Sequence, residues 1–133
     1  MKISGADIVL ECLKRIGIDT LFGYPGGVVL PLYDRLPAHP EIHHVLVRHE
    51  QAGGHAADGY ARASGRLGAA LATSGPGATN LVTAIQNAMM DSVPVIFVTG
   101  QVATPTIGSD AFQETDITGV SIPVDGGSIR ALL

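Results

Sequence analysis

The amino-acid sequence predicts an α/β fold: a parallel sheet flanked by helices on both faces, in a single domain. Four short, nearly continuous apolar runs lie at residues 20–22, 44–47, 68–72 and 95–98. Strands that are buried on both faces of a sheet have this pattern, whereas half-exposed strands alternate apolar and polar residues. Helix-compatible segments separate the runs, and parallel strands need such crossovers. A chain of 133 residues is long enough for one domain of this kind.

The first element is predicted to be an amphipathic helix. Ser4 can cap its beginning, and Gly17 can end it. Its apolar positions are Ile8, Val9, Cys12, Leu13 and Ile16. We therefore expect Cys12, the only cysteine of the chain, to be buried as a small apolar side chain.

Three further helices are predicted at residues 27–36, 50–64 and 77–91. Right-handed crossovers then bring the loops after the strands to one edge of the sheet, where open α/β folds bind their ligands. The helix at 50–64 begins with several small residues: Ala52, Gly53, Gly54, Ala56 and Ala57. We expect this surface to admit another chain closely, and the protein either to self-associate or to be only marginally stable.

Composition and charge exclude several classes of protein. The net charge of −4 offers no basic face for nucleic acid. No apolar run reaches the roughly 18 residues of a membrane-spanning helix. The sequence begins without the apolar core of a signal peptide, and its single cysteine cannot form an internal disulfide. We expect a cytoplasmic protein that contacts neither a membrane nor nucleic acid.

One carboxylate, Glu50, stands where the predicted strand at 44–47 gives way to the helix at 50–64. This position lies at the ligand-binding edge of the sheet, where a carboxylate can donate or accept a proton near neutral pH. The alternative is structural, because an acidic residue in the first turn of a helix is favoured by the helix dipole.

Two glycine-rich turns are expected at the same edge. Residues 24–27 read Tyr-Pro-Gly-Gly, and residues 73–80 read Thr-Ser-Gly-Pro-Gly-Ala-Thr-Asn. Glycines let a ligand approach the backbone, and helix N-termini offer free N–H donors. Each turn can also be an ordinary connection between a strand and a helix, without a ligand. Neither carries a Walker or dinucleotide fingerprint, so a nucleotide-binding domain is a weak alternative. Two such turns flanking a carboxylate favour a ligand site.

Phe112 and Gln113 form a third candidate patch, in the long segment after the last predicted strand. An amide beside an aromatic ring in such a loop suits substrate contact, and a surface glutamine is the alternative. The histidines do not predict a metal site, since His43 and His44 point to opposite faces of a strand and the others lack ligand spacing. No Gly-x-Ser-x-Gly nucleophile motif is present.

Four longer stretches make the interpretation specific. They read LFGYPGG at 21–27, RHEQAGGHAADGYARASG at 48–65, ATSGPGATNLVTAIQNAMMDSVPVIFVTGQV at 72–102 and IGSDAFQETDI at 107–117. In this order and spacing they resemble the N-terminal, pyrimidine-binding domain of thiamine diphosphate enzymes, and GYPGG with DAFQE resembles the acetohydroxyacid synthase (acetolactate synthase) large subunits. The resemblance covers residues 1–124, which we expect to form this domain. Residues 125–133 are expected to be a C-terminal tail outside the family pattern.

The resemblance implies a role for each matching residue. Glu50 resembles the glutamate that hydrogen-bonds the ring nitrogen of the aminopyrimidine, which favours the imino tautomer that removes the thiazolium proton. The residues expected to take part in catalysis are Glu50, Gly27, Val28 and Gln113. Those expected to bind the cofactor are Pro25, Gly26, Glu50, Thr73, Pro76, Gly77 and Asn80. Those expected to face substrate are Ala103, Phe112 and Gln113.

The resemblance also implies a reaction and partners. The family condenses two pyruvates, or pyruvate with 2-oxobutyrate, with decarboxylation in branched-chain amino acid biosynthesis. Its motif for Mg²⁺ and diphosphate and its FAD-binding domain have no counterpart in this sequence. We expect a homodimer, or association with a chain that carries the diphosphate-binding domain, and no activity of this chain alone. The alternative function is a truncated or split, non-catalytic association module that supplies half a cofactor site.

Overall fold

Four parallel strands form the centre of the fold, as the sequence predicts. A computed structural model describes residues 3–115. The strands are β1 (Thr20–Gly23), β2 (His43–Leu46), β3 (Gly68–Ala72) and β4 (Val95–Thr99). Their order is β2-β1-β3-β4, and every neighbouring pair is parallel. The loops that follow the strands therefore meet at one edge. The predicted domain end at residue 124 and the tail at 125–133 lie outside the described residues.

Helices cover both faces of this sheet, which confirms the predicted fold class. They are α1 (Gly5–Arg15), α2 (Leu30–Arg35), α3 (Glu50–Ser64), α4 (Pro76–Thr79) and α5 (Val82–Met90). The segment predicted as one helix at 77–91 is divided, because the Leu81 amide bonds to the carbonyl of Ala78, only three residues back. Short 3₁₀ turns occupy Gly27–Val29, Leu36–Ala38 and Thr104–Thr106. Within residues 3–115, no helix combines the length and the apolar character needed to cross a membrane.

The predicted ends of α1 are confirmed. The Ser4 hydroxyl oxygen accepts a hydrogen bond from the Asp7 amide at 3.1 Å, which satisfies a free donor of the first turn. At the other end Gly17 has a φ of +91°, and the Ile18 amide donates to the Leu13 carbonyl at 3.0 Å. A left-handed glycine followed by this bond is a common way for a helix to end.

The prediction that Cys12 is buried is wrong, because Cys12 is an exposed free thiol. Ile8 and Ile16, each four residues away, are 47% and 51% exposed. The core takes Leu10 and Leu13 instead, which are 1% and 5% exposed. The apolar stripe of α1 is wider than the part of the helix that packs on the sheet. Ile8, Cys12 and Ile16, which are spaced four residues apart, therefore remain exposed to solvent.

Two separate apolar layers hold the helices on the sheet. The first, which we call the large-residue face, packs α1 and α2 against the sheet. Its buried members are mostly leucine and isoleucine: Leu10, Leu13, Ile18, Leu21, Val29, Leu36, Ile42, Ala69 and Leu71. The second, which we call the small-residue face, packs α3 and α5 against the opposite side. Its buried members are mostly alanine: Ala57, Ala61, Ala70, Ala72, Leu81, Ala88, Val93 and Val95.

The small residues at the start of α3 serve this internal packing. A Cβ added to Gly54 would lie 2.5 Å from the Cβ of Ala84 in α5 and 3.3 Å from Cε1 of Phe97 in β4. Gly53, Gly54 and Ala57 are all buried. The surface that was predicted to admit another chain is therefore largely occupied by α5 and the sheet. Self-association itself stays a prediction.

Candidate functional site

The turns after β1 and β3 pack against each other at the carboxyl edge of the sheet. A Cβ on Gly26 would lie 2.5 Å from the Cβ of Thr73, so only glycine fits at this position. Thr73 is 7% exposed and lies between the two turns. The structure thus brings together two of the stretches that the sequence singles out.

Glu50 begins α3 beside these turns. Its Oε2 accepts a hydrogen bond from Nδ2 of Asn80 at 2.9 Å. A Cβ on Gly77 would lie 3.2 Å from Oε1 of Glu50 and 2.7 Å from Cγ2 of Thr73. Glu50, Thr73, Gly77 and Asn80 therefore form one group, which we call the Glu50 cluster. Sequence reasoning predicted all four residues, but not the contact between Glu50 and Asn80.

His49 caps α3 and thereby fixes Glu50 in the first turn of the helix. Its Nδ1 accepts a hydrogen bond from the Gln51 amide at 3.2 Å. Sequence reasoning missed this role, because the usual N-cap residues are Ser, Thr, Asp and Asn. The structural explanation for Glu50 also holds, since its carboxylate lies near the positive end of the helix dipole. The two explanations coexist: the dipole favours the residue, and the cluster positions its carboxyl group.

Two hydroxyl groups at this edge are buried without a partner. Oγ1 of Thr73 and Oγ of Ser74 make no hydrogen bond to any residue in the described part of the chain. An unsatisfied buried polar atom costs about 1–3 kcal/mol, so ordered water or a ligand usually completes it. Ser74 was not predicted as a site residue, although it lies inside the Thr-Ser-Gly-Pro-Gly motif that indicated Thr73.

A second pair of buried polar groups lies behind the end of β1. The rings of Tyr33 and His44 meet edge to face, with centroids 5.1 Å apart. The Tyr33 hydroxyl and Nε2 of His44 have no hydrogen-bond partner among residues 3–115. The pKa of Tyr33 is raised to about 12, mainly because the side chain is buried and to a smaller extent because Glu50 is negatively charged. Burial also lowers the pKa of His44. No sequence motif pointed to this pair, which only packing brings together.

The first turn leaves one side of the site open. Pro25 and Gly27 are exposed, and no neighbouring atom of residues 3–115 lies within 4 Å of the point where a Cβ on Gly27 would stand. Val28 is 39% exposed, and its side chain lies against Gly100 at the end of β4. Pro76 is exposed at the start of α4. A ligand can therefore approach the Glu50 cluster from this side.

The segment that contains Phe112 and Gln113 reaches the site through its backbone. Gly75 has a φ of +56°, and a Cβ there would collide with the carbonyl oxygen of Gln113. Gln113 is half-buried, whereas Phe112 is 89% exposed and Ala103 is also exposed. The structure thus brings Gln113 to the turn after β3, and it leaves the side chains of Phe112 and Ala103 in solvent.

The cluster offers a carboxylate, an amide and a hydroxyl that has no partner among residues 3–115, beside the exposed first turn. Such groups can exchange a proton and can pair with the polar edge of a flat heteroaromatic ring. Within residues 3–115 there is no group of three or more His, Cys, Asp and Glu side chains that could hold a metal ion.

Comparison with known proteins identifies the family. The chain is 61% identical over 125 residues to the acetolactate synthase large subunit of Parasynechococcus marenigrum. It is 56% identical over 123 residues to the acetolactate synthase of Mycobacterium avium and 54% identical over 123 residues to the large subunit of Corynebacterium glutamicum. Each match covers 92% of this chain but 20% of the relative, so the chain spans about a fifth of their length. The family described as "Thiamine pyrophosphate enzyme, N-terminal TPP binding domain" matches residues 3–120, and the chain belongs to this family.

Proposed function

We propose that the Glu50 cluster binds the aminopyrimidine half of thiamine diphosphate, and that the chain is the corresponding domain of an acetolactate synthase. The observation that carries the proposal is the hydrogen bond between Glu50 and Asn80, next to the buried Thr73 hydroxyl, which has no partner among residues 3–115. These groups fit an aminopyrimidine, which presents ring nitrogens and an exocyclic amine. Gly26 and Gly77 let the backbones of both turns pack directly against Thr73, where a side chain would collide with it.

Glu50 is the residue that we expect to hold the proton. Asn80 binds Oε2 and so sets the orientation of the carboxyl group, while Oε1 stays beside Gly77. From there Oε1 can share a proton with a ring nitrogen. A glutamine would keep the shape of the side chain but cannot change its protonation state, and an aspartate would be one methylene shorter.

The positions and exposure of the other predicted residues support their proposed roles to different degrees. When bound, thiamine diphosphate supplies the carbon nucleophile that acts on 2-oxo acids. The open space beside Gly27 and the exposed side chain of Val28 suit residues that line the reacting centre. The exposed Phe112 and the anchored Gln113 suit residues that contact substrate. Pro25, Pro76 and Ala103 are accessible, which is compatible with the roles predicted for them.

The reaction that we propose for the complete enzyme is the condensation of two pyruvates, or of pyruvate with 2-oxobutyrate, with loss of CO₂. The names of the relatives support it. We assign Mg²⁺, diphosphate and FAD to parts of the enzyme other than the Glu50 cluster, which has a single carboxylate. A second copy or a chain with the diphosphate-binding domain would complete the site. The cytoplasm is the proposed compartment, in agreement with one unpaired cysteine.

A second candidate function is that of a non-catalytic association module that provides half a cofactor site. Apolar side chains left exposed around the open side of the site favour it. Tyr24 is 41% exposed, Val28 is 39% exposed and Phe112 is 89% exposed. Exposed apolar groups that surround a polar centre are typical of surfaces that another chain covers.

Titration of the ¹⁵N-labelled chain with thiamine diphosphate and Mg²⁺ tests the proposal, with the side-chain amide signal of Asn80 as the readout. We expect this signal to shift in the wild type, with an affinity at least about tenfold weaker in Glu50→Gln, because a charge-assisted hydrogen bond is lost. Glu41→Gln is the matched control, since Glu41 is exposed and pairs with Lys14 on another part of the surface.

Acetolactate formation from pyruvate, measured in the same samples, separates the two candidate functions. Binding without turnover favours the half-site module, and turnover that Glu50→Gln abolishes favours a working enzyme. A wild-type chain whose Asn80 signal does not respond to thiamine diphosphate, or a response that Glu50→Gln leaves intact, would contradict both.

A further inference from the structure

The segment 108–114 has an unusual backbone. Gly108, Asp110 and Gln113 have φ values of +84°, +55° and +62°. For residues other than glycine, this left-handed conformation brings Cβ too close to the following carbonyl oxygen and is disfavoured. Two such residues within four positions persist only where other interactions hold the backbone in place. The sequence DAFQE therefore adopts a specific conformation rather than a generic surface loop.

Glu114 provides the interactions that hold this loop. Its carboxylate accepts hydrogen bonds from the amide of Gly108 through Oε1 and from the amide of Ala111 through Oε2, the latter at 2.9 Å. The amide of Glu114 itself donates to the Ala111 carbonyl at 2.8 Å. The Gly108 amide, followed by that of Ala111, lowers the pKa of Glu114 below its usual range. The ionised carboxylate thus connects the end of the loop at Glu114 to its beginning at Gly108 and its middle at Ala111.

Two further contacts attach the loop to the sheet edge. The Gln113 carbonyl packs on Gly75, where any side chain would collide with it. Nε2 of Gln101 donates to the carbonyl of Thr115 at 3.2 Å, immediately after Glu114. The loop is therefore held at its centre and at its end, and Phe112 extends from it almost fully into solvent.

We propose that Glu114 is a positioning residue, whose carboxylate holds the 108–114 loop in the conformation that presents Phe112 and Gln113 at the carboxyl edge of the sheet. The consequence for substrate contact rests on the function proposed above; the effect on the loop does not. A loop shaped before the ligand arrives loses less conformational entropy when it binds. The hydrogen bonds of the Glu114 carboxylate go to the backbone amides of Gly108 and Ala111, so it acts through the backbone.

The decisive experiment follows the backbone amide protons of Gly108 and Ala111 in the ligand-free, ¹⁵N-labelled chain as the pH falls from neutral. Both signals are expected to shift together as the Glu114 carboxylate becomes protonated. The midpoint should lie below pH 4.5, since 4.5 is the ordinary pKa of a glutamate and that of Glu114 is lowered. The shift should disappear in Glu114→Gln, which removes the charge and one acceptor oxygen. It should persist in Glu41→Gln, which changes an exposed glutamate outside this loop. Absence of a common titration in the wild type, or its persistence in Glu114→Gln, would overturn the proposal.

Thiamine diphosphate then separates this proposal from the previous one. Glu114→Gln should leave the Asn80 response to the cofactor within about twofold of the wild type, because the Glu50 cluster is untouched. If Glu114→Gln weakens that response as much as Glu50→Gln does, a specific positioning role is wrong. If the wild type itself does not respond, the proposed function fails, while the amide titration still decides the role of Glu114.

Discussion

The two faces of the sheet are packed on different principles. On the large-residue face, the buried side chains are mostly leucine and isoleucine, and Leu10 in α1 and Leu21 in β1 are each 1% exposed. On the small-residue face, α3 and α5 meet through glycine and alanine, and Gly54 lies directly against Ala84. Large side chains bury more apolar area, whereas small ones let backbones approach closely.

The difference explains why the site is attached to the small-residue face. Glu50 begins α3, and its partner Asn80 lies between α4 and α5, so both sides of this hydrogen bond depend on how closely α3 and α5 approach. The large-residue face contributes mainly stability. We therefore expect substitutions on the two faces to separate loss of stability from loss of the site.

The largest expected effect on stability is that of Leu10→Ala. Loss of this buried side chain should lower the free energy of unfolding by about 2–5 kcal/mol, because it removes apolar contact and leaves a cavity. Urea unfolding measures the change, and Ile8→Ala, on the exposed line of the same helix, should change stability by less than about 1 kcal/mol. The folded fraction of Leu10→Ala should keep the Asn80 response to thiamine diphosphate. Loss of that response would show that the two faces are not independent.

Gly54→Ala should have the next largest effect and should act on the site. The new Cβ would lie 2.5 Å from that of Ala84, and we expect a cost of about 1–3 kcal/mol from overpacking. Because α3 must move, the Asn80 side-chain signal should change even without ligand. Gly59→Ala in the same helix is the matched control. In the described part of the chain no neighbouring atom lies within 4 Å of its Cβ position, and the change should stabilise α3 by about 0.5–1 kcal/mol. Equal effects of the two variants in urea unfolding would contradict the comparison.

Tyr33→Phe should have the smallest effect at neutral pH. It removes a buried hydroxyl without a partner among the described residues, so we expect a change of at most about 1 kcal/mol, in the stabilising direction. The pH dependence is more specific. An unfolded tyrosine releases its proton near pH 10, but folded Tyr33 keeps its proton up to about pH 12, so wild-type stability should fall as the pH rises above 10.

Urea unfolding at a series of alkaline pH values checks this expectation. The decline attributed to Tyr33 should be absent in Tyr33→Phe and present in Tyr24→Phe, which removes a tyrosine that is 41% exposed. A decline that is identical in both variants would show that Glu50 and burial do not act on Tyr33 as the geometry indicates.

Much of the fold could be predicted from local patterns. All four apolar runs are strands, and Ser4 and Gly17 mark the ends of α1. These features depend on residues close in sequence, whose spacing and conformational preferences act before any tertiary contact forms. The placement of Glu50 at the sheet edge follows in the same way, because the direction of each parallel strand determines which loops meet.

Contacts between distant segments could not be predicted in this way. Cys12 shares the apolar pattern of α1 with Leu13, yet the rotation of the helix on the sheet exposes the first and buries the second. The small residues of α3 are compatible with contact to another chain or to α5, and only the packed structure distinguishes these. The pairing of Tyr33 with His44 has no local signature at all.

The sequence by itself determined the fold class, the family and the edge of the sheet at which the candidate site lies. Strand periodicity, helix ends and long motifs are properties of contiguous residues, and they need no knowledge of the packing. The tertiary structure alone decided that Asn80 orients Glu50, that Gly75 supports Gln113, and that Glu114 closes the loop around Ala111. These contacts depend on distances of a few ångströms and on the angle at which helices and loops settle on the sheet. Such quantities arise only when all the elements pack together.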